Sequence, residues 1–202
     1  MISLGKRTGT VSRKTAETDI SLNINLDGEG KCNIKSELPF LNHMLVLFCK
    51  HGFFDLKLSL DGDIEVDAHH SLEDLGICLG RAIKEALGEK SGIKRYGFYL
   101  LVMDEALVRI TIDLSGRGRL FYNVPPEKIG RINQIDGEVW KEFFLSLAYE
   151  AGITLHIDLL KGENNHHIIE AIFKGFARAL DQAIQIERRL KGNIPSSKGM
   201  LA

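Results

Sequence analysis

Cysteine is scarce: only Cys32, Cys49 and Cys78 occur in 202 residues. No two form a C-x-x-C pair, so neither a disulfide framework nor a zinc ribbon is expected, and a reducing, cytoplasmic setting fits best. No stretch approaches the roughly eighteen consecutive apolar residues that span a bilayer, and Met1 to Lys14 holds no apolar signal core. Neither export nor a membrane partner is expected. An excess of one charge is missing too: 26 Lys and Arg stand against 27 Asp and Glu, a formal net charge of -1. That balance supplies no overall field to favour nucleic acid. What remains, 44% hydrophobic and 26% charged, is ordinary globular composition with enough chain for one or two compact domains.

Laid on itself, the sequence repeats. Ala16 to Gly30 matches Asp104 to Gly118 without gaps at an offset of 88, pairing Glu17 with Glu105, Gly28 with Gly116 and Gly30 with Gly118. His43 to Leu60 matches Glu142 to Leu159 at an offset of 99, and His69-His70 matches His166-His167 at an offset of 97. Leu22, Ile24 and Leu26 alternate as a half-buried strand, as do Val108, Ile110, Ile112 and Leu114. Leu72, Leu75, Leu79, Ile83 and Leu87 recur at helical intervals instead, in a helix expected from near Asp67 to near Gly88. The expected fold class is therefore α+β with an internal duplication. Each of two similar halves, residues 1–95 and 96–191, would hold a mostly antiparallel four-stranded sheet and two helices, packed between or against the sheets. The halves would join near Gly92 to Gly97, and residues 192–202 read as an extended C-terminal loop.

The clusters His69-His70-Ser71-Leu72-Glu73 and His166-His167-Ile168-Ile169-Glu170 carry the chemistry. Residues four apart share a helix face, so His69 with Glu73, and His166 with Glu170, can each aim at one metal ion. Adjacent histidines diverge by about 100°, so His70 and His167 serve a different ion from their neighbours, or none. His43 and Glu142, which open matched helices, complete the donor sets. One ion is expected on His43, His70, His166 and Glu170, and a second on Glu142, His69, Glu73 and His167, related by the pseudo-twofold of the duplication. Mixed imidazole and carboxylate ligands suit Mn, Fe or Zn better than Mg or Ca. Each ion would keep open positions, the catalytic pattern. Spacing leaves open whether the clusters meet within one chain or across a subunit boundary. His51 could contact substrate, and His156, in an alternating strand, is as readily structural as functional.

Further motifs run through nearly the whole chain: Leu41-Asn42-His43-Met44-Leu45, Asp67-Ala68-His69-His70-Ser71-Leu72-Glu73-Asp74, Met103-Asp104-Glu105-Ala106-Leu107, Asp113-Leu114-Ser115-Gly116-Arg117 and Pro195-Ser196-Ser197-Lys198-Gly199. In these the chain resembles the imidazoleglycerol-phosphate dehydratases of histidine biosynthesis. The resemblance implies a lyase with two Mn2+ ions per active site, acting on a small phosphorylated imidazole. It also implies a large homo-oligomer of about 24 subunits with active sites between subunits. Glu17, His51, Arg95, Arg117, Lys174, Ser196 and Lys198 would face the substrate, the basic residues and Ser196 mainly serving its phosphate. Two positions depart from the pattern: Glu142 stands where many relatives carry His, and Val102 where Pro is usual.

Such a dehydration removes a proton from a carbon that no carbonyl activates, so the substrate's own imidazole must hold the electrons. Two ions on the two ring nitrogens would stabilise an imidazolate, which could expel the adjacent hydroxyl. Glu17 is the first candidate for proton transfer, with metal-bound water or a ligand carboxylate as alternatives. Two competing readings remain, a bimetallic hydrolase and a non-enzymatic protein assembled by metal. The second leaves Arg117 and the Ser196-Ser197-Lys198 segment without a purpose.

Overall fold

The structure, a computed structural model, describes residues 6–201. Two four-stranded sheets carry the same plan. In the first, β1 (Thr8–Lys14), β2 (Thr18–Asn25), β3 (Cys32–Lys35) and β4 (Asp55–Gly62) lie in the order β1-β2-β4-β3. In the second, β5 (Tyr96–Met103), β6 (Ala106–Asp113), β7 (Arg119–Asn123) and β10 (Thr154–Lys161) lie in the order β5-β6-β10-β7. Each sheet is antiparallel except for one parallel pair, β3 with β4 and β7 with β10. The repeated blocks land on matching elements: adding 88 to the bounds of β2 gives those of β6, and adding 99 to those of β4 gives those of β10. Strict alternation of buried and exposed residues in β2 and β6 shows why, since a one-residue slip would turn every core side chain to water.

Four long helices fill the inside: α1 (Pro39–Gly52), α2 (His69–Leu87), α4 (Val139–Ala151) and α5 (Asn165–Ile184), with one-turn α3 (Pro126–Ile129) between the last β7 residue and α4. α2 packs on β1 and β2, and α5 on β5 and β6, so each half covers its own sheet. The other contacts cross over, α1 packing on α5 and α4 on α2. Phe48 of α1 stacks on Phe176 of α5 at 5.7 Å, and Phe143 of α4 on Phe173 of α5 at 5.6 Å. All four rings are buried in a core shared by both halves. Truncating any one to Ala would cost about 3–5 kcal/mol.

Three details differ from the sequence reading. α1 begins at Pro39, a favoured first-turn residue, so His43 lies one turn inside the helix and does not open it, whereas Glu142 does stand in the first turn of α4. The segment from Pro126 to Asp136, with α3 and the two-residue strands β8 (Arg131–Ile132) and β9 (Ile135–Asp136), has no counterpart among the described residues of the first half. The C-terminal segment is not extended. After a 3-10 turn at Arg188–Leu190, short contacts such as Ser196 N–H to the Ile194 carbonyl (2.8 Å) and Gly199 N–H to the Ser196 carbonyl (3.0 Å) fold it into turns.

Candidate metal centre and its surroundings

Both histidine doublets sit in the first turn of a helix. The Asn164 side chain accepts from the N–H groups of His166 and His167, and Asp67, its repeat mate 97 positions earlier, accepts from His69 N–H at 2.7 Å. These short polar acceptors satisfy N–H groups that the helix leaves unpaired and so fix where each imidazole starts.

On α5 the four-residue spacing brings His166 Nε2 to 3.2 Å from Glu170 Oε2. His43, reaching across from α1, places its Nε2 3.8 Å from the same oxygen. Donor atoms of His43, His166 and Glu170 all lie within 4.8 Å of one another. The cluster therefore takes one element from each half. Phe40 supports it, meeting the His166 ring edge-on at 5.1 Å and Trp140 at 5.8 Å. Glu170 is buried and paired with Lys174 one turn on. Burial alone would raise its pKa, but the hydrogen bond and charge of Lys174, with His166 and His43, outweigh that and hold it below the ordinary carboxylate value. Lys174 Nζ also contacts Met103 Sδ at 3.5 Å.

The pseudo-symmetric site is less closed. His69 Nε2 stands 3.6 Å from Glu73 Oε2, yet among the described residues Glu142 makes no hydrogen bond or ion pair with either. His70 and His167 point elsewhere, as their one-residue step requires. His70 Nδ1 lies 3.0 Å from Asp63, with Glu17 3.7 Å from its Nε2. His167 Nδ1 lies 2.7 Å from Glu105, with Asp104 3.6 Å from its Nε2. The hydrogen bond from His167, with backbone N–H donors including Asn164, takes Glu105 down to about 2. His70 and His167 shift upward, mainly through their hydrogen bonds to Asp63 and Glu105. Within one chain, then, three of the four residues expected on one ion converge, and His70 is not among them. In the other set His69 and Glu73 meet while Glu142 and His167 stand apart.

The expected substrate contacts divide into free and engaged groups. Glu17, Arg117 and Lys198 are exposed. Arg95 grips Asp113 through Nε (2.7 Å) and Nη2 (3.1 Å), donates from Nη1 to the Pro195 carbonyl (2.9 Å), and lies over the Tyr96 ring. It thereby ties the C-terminal turns, with Ser196 beside the anchored carbonyl, to the start of β5. His51, at the far end of α1 from His43, has its pKa lowered by burial and by the charges of Lys174 and Arg178. Arg178 donates to the His51 carbonyl at 3.3 Å and lies over the Phe53 and Tyr99 rings. His156 stacks face to face on Phe121 at 4.3 Å, on the outer side of the second sheet. Sequence reasoning gave no role to Asp63, Asp104, Glu105 or Arg178, although Asp104 and Glu105 stand in one of the motifs that carry the resemblance and Glu105 is the repeat mate of Glu17.

Comparison with known proteins gives one consistent result. The family described as Imidazoleglycerol-phosphate dehydratase matches residues 36–180. A relative of that name from Syntrophomonas wolfei subsp. wolfei is 55% identical over 195 residues, covering 96% of this chain and 98% of its own. One from Acetivibrio thermocellus is 54% identical over 191 residues, covering 95% and 97%. Among solved structures, imidazoleglycerol-phosphate dehydratase from Staphylococcus aureus subsp. aureus N315 superposes with a TM-score of 0.80 at 37% identity, covering 89% of this chain and 99% of that one. The Pyrococcus furiosus structure gives 0.81 at 35% identity, covering 95% and 100%.

Proposed function

This chain belongs to the imidazoleglycerol-phosphate dehydratase family, and from that premise we propose that it removes water from imidazoleglycerol phosphate to give imidazoleacetol phosphate, a cytoplasmic step of histidine biosynthesis, with two Mn2+ ions per active site. The observation that carries the metal part is the convergence of His43, His166 and Glu170 within 4.8 Å. Two imidazoles and a buried carboxylate fit a first-row transition ion. Bound manganese would supply Lewis acidity, drawing charge out of the substrate's ring. Lys174, by holding Glu170 ionised, keeps that carboxylate ready as a ligand.

His70 and His167 face away from the three-donor cluster, which supports active sites shared between copies in a large homo-oligomer of about 24 subunits. Glu17, exposed and 3.7 Å from His70, is assigned proton transfer at the substrate carbons. Arg117, Lys198 and Ser196 are assigned the phosphate, with Arg95 contributing donors it does not spend on Asp113 and Pro195. His51 and Lys174 border the same site. We read residues 1–95 and 96–191 as tandem copies of one unit and 192–202 as the segment that delivers Ser196 and Lys198.

Incubating the manganese-loaded protein with imidazoleglycerol phosphate tests the reaction. Imidazoleacetol phosphate should appear as substrate disappears, without release of inorganic phosphate from it or from a generic phosphoester. Phosphate release without the ketone would assign a hydrolase instead.

A further inference from the structure

Glu17 makes no side-chain hydrogen bond among the described residues, and its close charged partner is His70 at 3.7 Å. Its repeat mate Glu105 is tied down by its own carboxylate, which accepts from His167 Nδ1 at 2.7 Å and from the N–H of Asn164 at 2.8 Å. Whatever fixes Glu17 must therefore act from beneath its turn. There the buried Asp74 of α2 accepts from the Thr18 hydroxyl at 2.5 Å and pairs with the Arg13 guanidinium. Arg13 on β1 and Thr18 on β2 flank the turn Thr15-Ala16-Glu17, so Asp74 grips both strands that feed it. The Thr15 hydroxyl, 3.3 Å from that of Thr18, accepts from the N–H groups of Glu17 (3.1 Å) and Thr18 (2.9 Å). The Glu17 carbonyl in turn accepts from the N–H of Asp63, the partner of His70, at 3.1 Å.

The internal duplication supplies the control for this polar set. At an offset of 88, Arg13, Thr15 and Thr18 have the mates Leu101, Met103 and Ala106, and at 97 Asp74 has the mate Ala171. Leu101, Ala106 and Ala171 are all buried, and the strands pair in the same register, Leu101 opposite Val108 as Arg13 is opposite Ile20. The fold thus builds the same corner from apolar side chains, which in general hold a structure as well as a buried ion pair does. The polar set stands only in the half whose glutamate carboxylate is left free. We propose that Asp74, with Arg13 and Thr18, is a positioning clamp that holds the Glu17 carboxylate where it meets the substrate's proton, Thr18 being the link to the turn. This rests on the reading above that Glu17 moves the proton. Asp74 follows the expected metal ligand Glu73, but one helical step of about 100° turns it to the strands while Glu73 faces His69, so the clamp acts on the turn and not on the ion.

The full-length, manganese-loaded protein tests this with Thr18→Val, which keeps the side chain's shape and removes the hydroxyl, and Thr18→Ser, which keeps the hydroxyl. Thr18→Val should retain its manganese and change KM by less than about threefold while losing about tenfold or more in kcat, and Thr18→Ser should recover most of that loss. Added to Glu17→Gln, Thr18→Val should slow turnover little further, because a residue acting through Glu17 then has nothing to position. A normal kcat in Thr18→Val, no recovery in Thr18→Ser, lost manganese, or losses that multiply in the double variant would overturn the proposal. Should Thr18→Val not fold, Thr18→Ala, which installs the residue of the repeat mate Ala106, takes its place in every comparison. Amide exchange across Thr15 to Thr18, followed without substrate, should quicken in Thr18→Val and not in Thr18→Ser, and unchanged exchange also overturns the clamp. An unaltered protein without turnover sinks the dehydratase reading, and the exchange comparison still decides the clamp. Full kcat in Glu17→Gln removes Glu17 from proton transfer and this proposal with it, whereas a slow Glu17→Gln beside a normal Thr18→Val overturns the clamp alone.

Discussion

Neighbouring histidines on a helix diverge by about 100°, and at the scale of residues this step divides the chemistry of the chain. His166 and His69 turn to the glutamate four positions on, whereas His167 and His70 turn to acidic residues on the β5–β6 turn and near the end of β4. That divergence was legible in the sequence because it follows from helical geometry alone. The partners of His70 and His167 were not, because Asp63, Asp104 and Glu105 reach them through loop conformations that no periodicity encodes. Glu17 shows the limit from the other side. It is exposed, and its N–H bonds the Thr15 hydroxyl in a turn that leaves the carboxylate unanchored apart from His70. If it moves the proton, Glu17→Gln should preserve manganese content and substrate affinity while slowing kcat by about 100-fold or more, the usual scale for removing a general acid or base. An unchanged kcat, measured with metal content checked by mass spectrometry, would remove Glu17 from that role.

At the scale of elements, the duplication is repeated down to single backbone approaches. Gly9 of β1 lies against the Ala82 carbonyl of α2, and Gly97 of β5 against the Ala179 carbonyl of α5, the residue 97 positions on from Ala82. A Cβ at either glycine would overlap that carbonyl oxygen, a rigid backbone atom, so strand and helix would have to separate. Gly9→Ala and Gly97→Ala should each cost more than about 2 kcal/mol. Gly199→Ala, where an added Cβ would meet no atom within 4 Å and the φ of 69° opposes the change, should cost about 1–2 kcal/mol. Chemical denaturation of the three variants reads this, and equal stabilities would mean that the close approach does not constrain packing. The strands β2, β4, β6 and β10 could be read from alternation. The parallel pairings of β3 with β4 and of β7 with β10 could not, because each joins segments separated by a helix, and sequence carries no local mark of which strands meet. The α3, β8 and β9 segment escaped notice because it breaks the repeat.

At the scale of the whole molecule, the two halves are cross-wired. Each half keeps α2 or α5 on its own sheet but lends α1 or α4 to the other half, so neither closes its core alone. The candidate metal cluster inherits this wiring, with His43 from the first half and His166 and Glu170 from the second. An ion held there would join elements that unfolding must separate, and binding to the folded state only would add stability of RT ln(1 + [L]/Kd), about 2.7 kcal/mol at a hundredfold excess over Kd. Chelation should therefore lower the thermal midpoint as well as abolish turnover, and restored manganese should recover both. Because His70 and His167 lie outside the three-donor cluster, the same treatment should also shift the native mass toward smaller species if neighbouring copies complete the ligand shell. A midpoint and mass indifferent to chelator, in protein shown by elemental analysis to have held manganese beforehand, would place the ion where it bridges neither the halves nor the copies. The cross-wiring would then serve packing alone, and the twin histidine doublets would need another explanation.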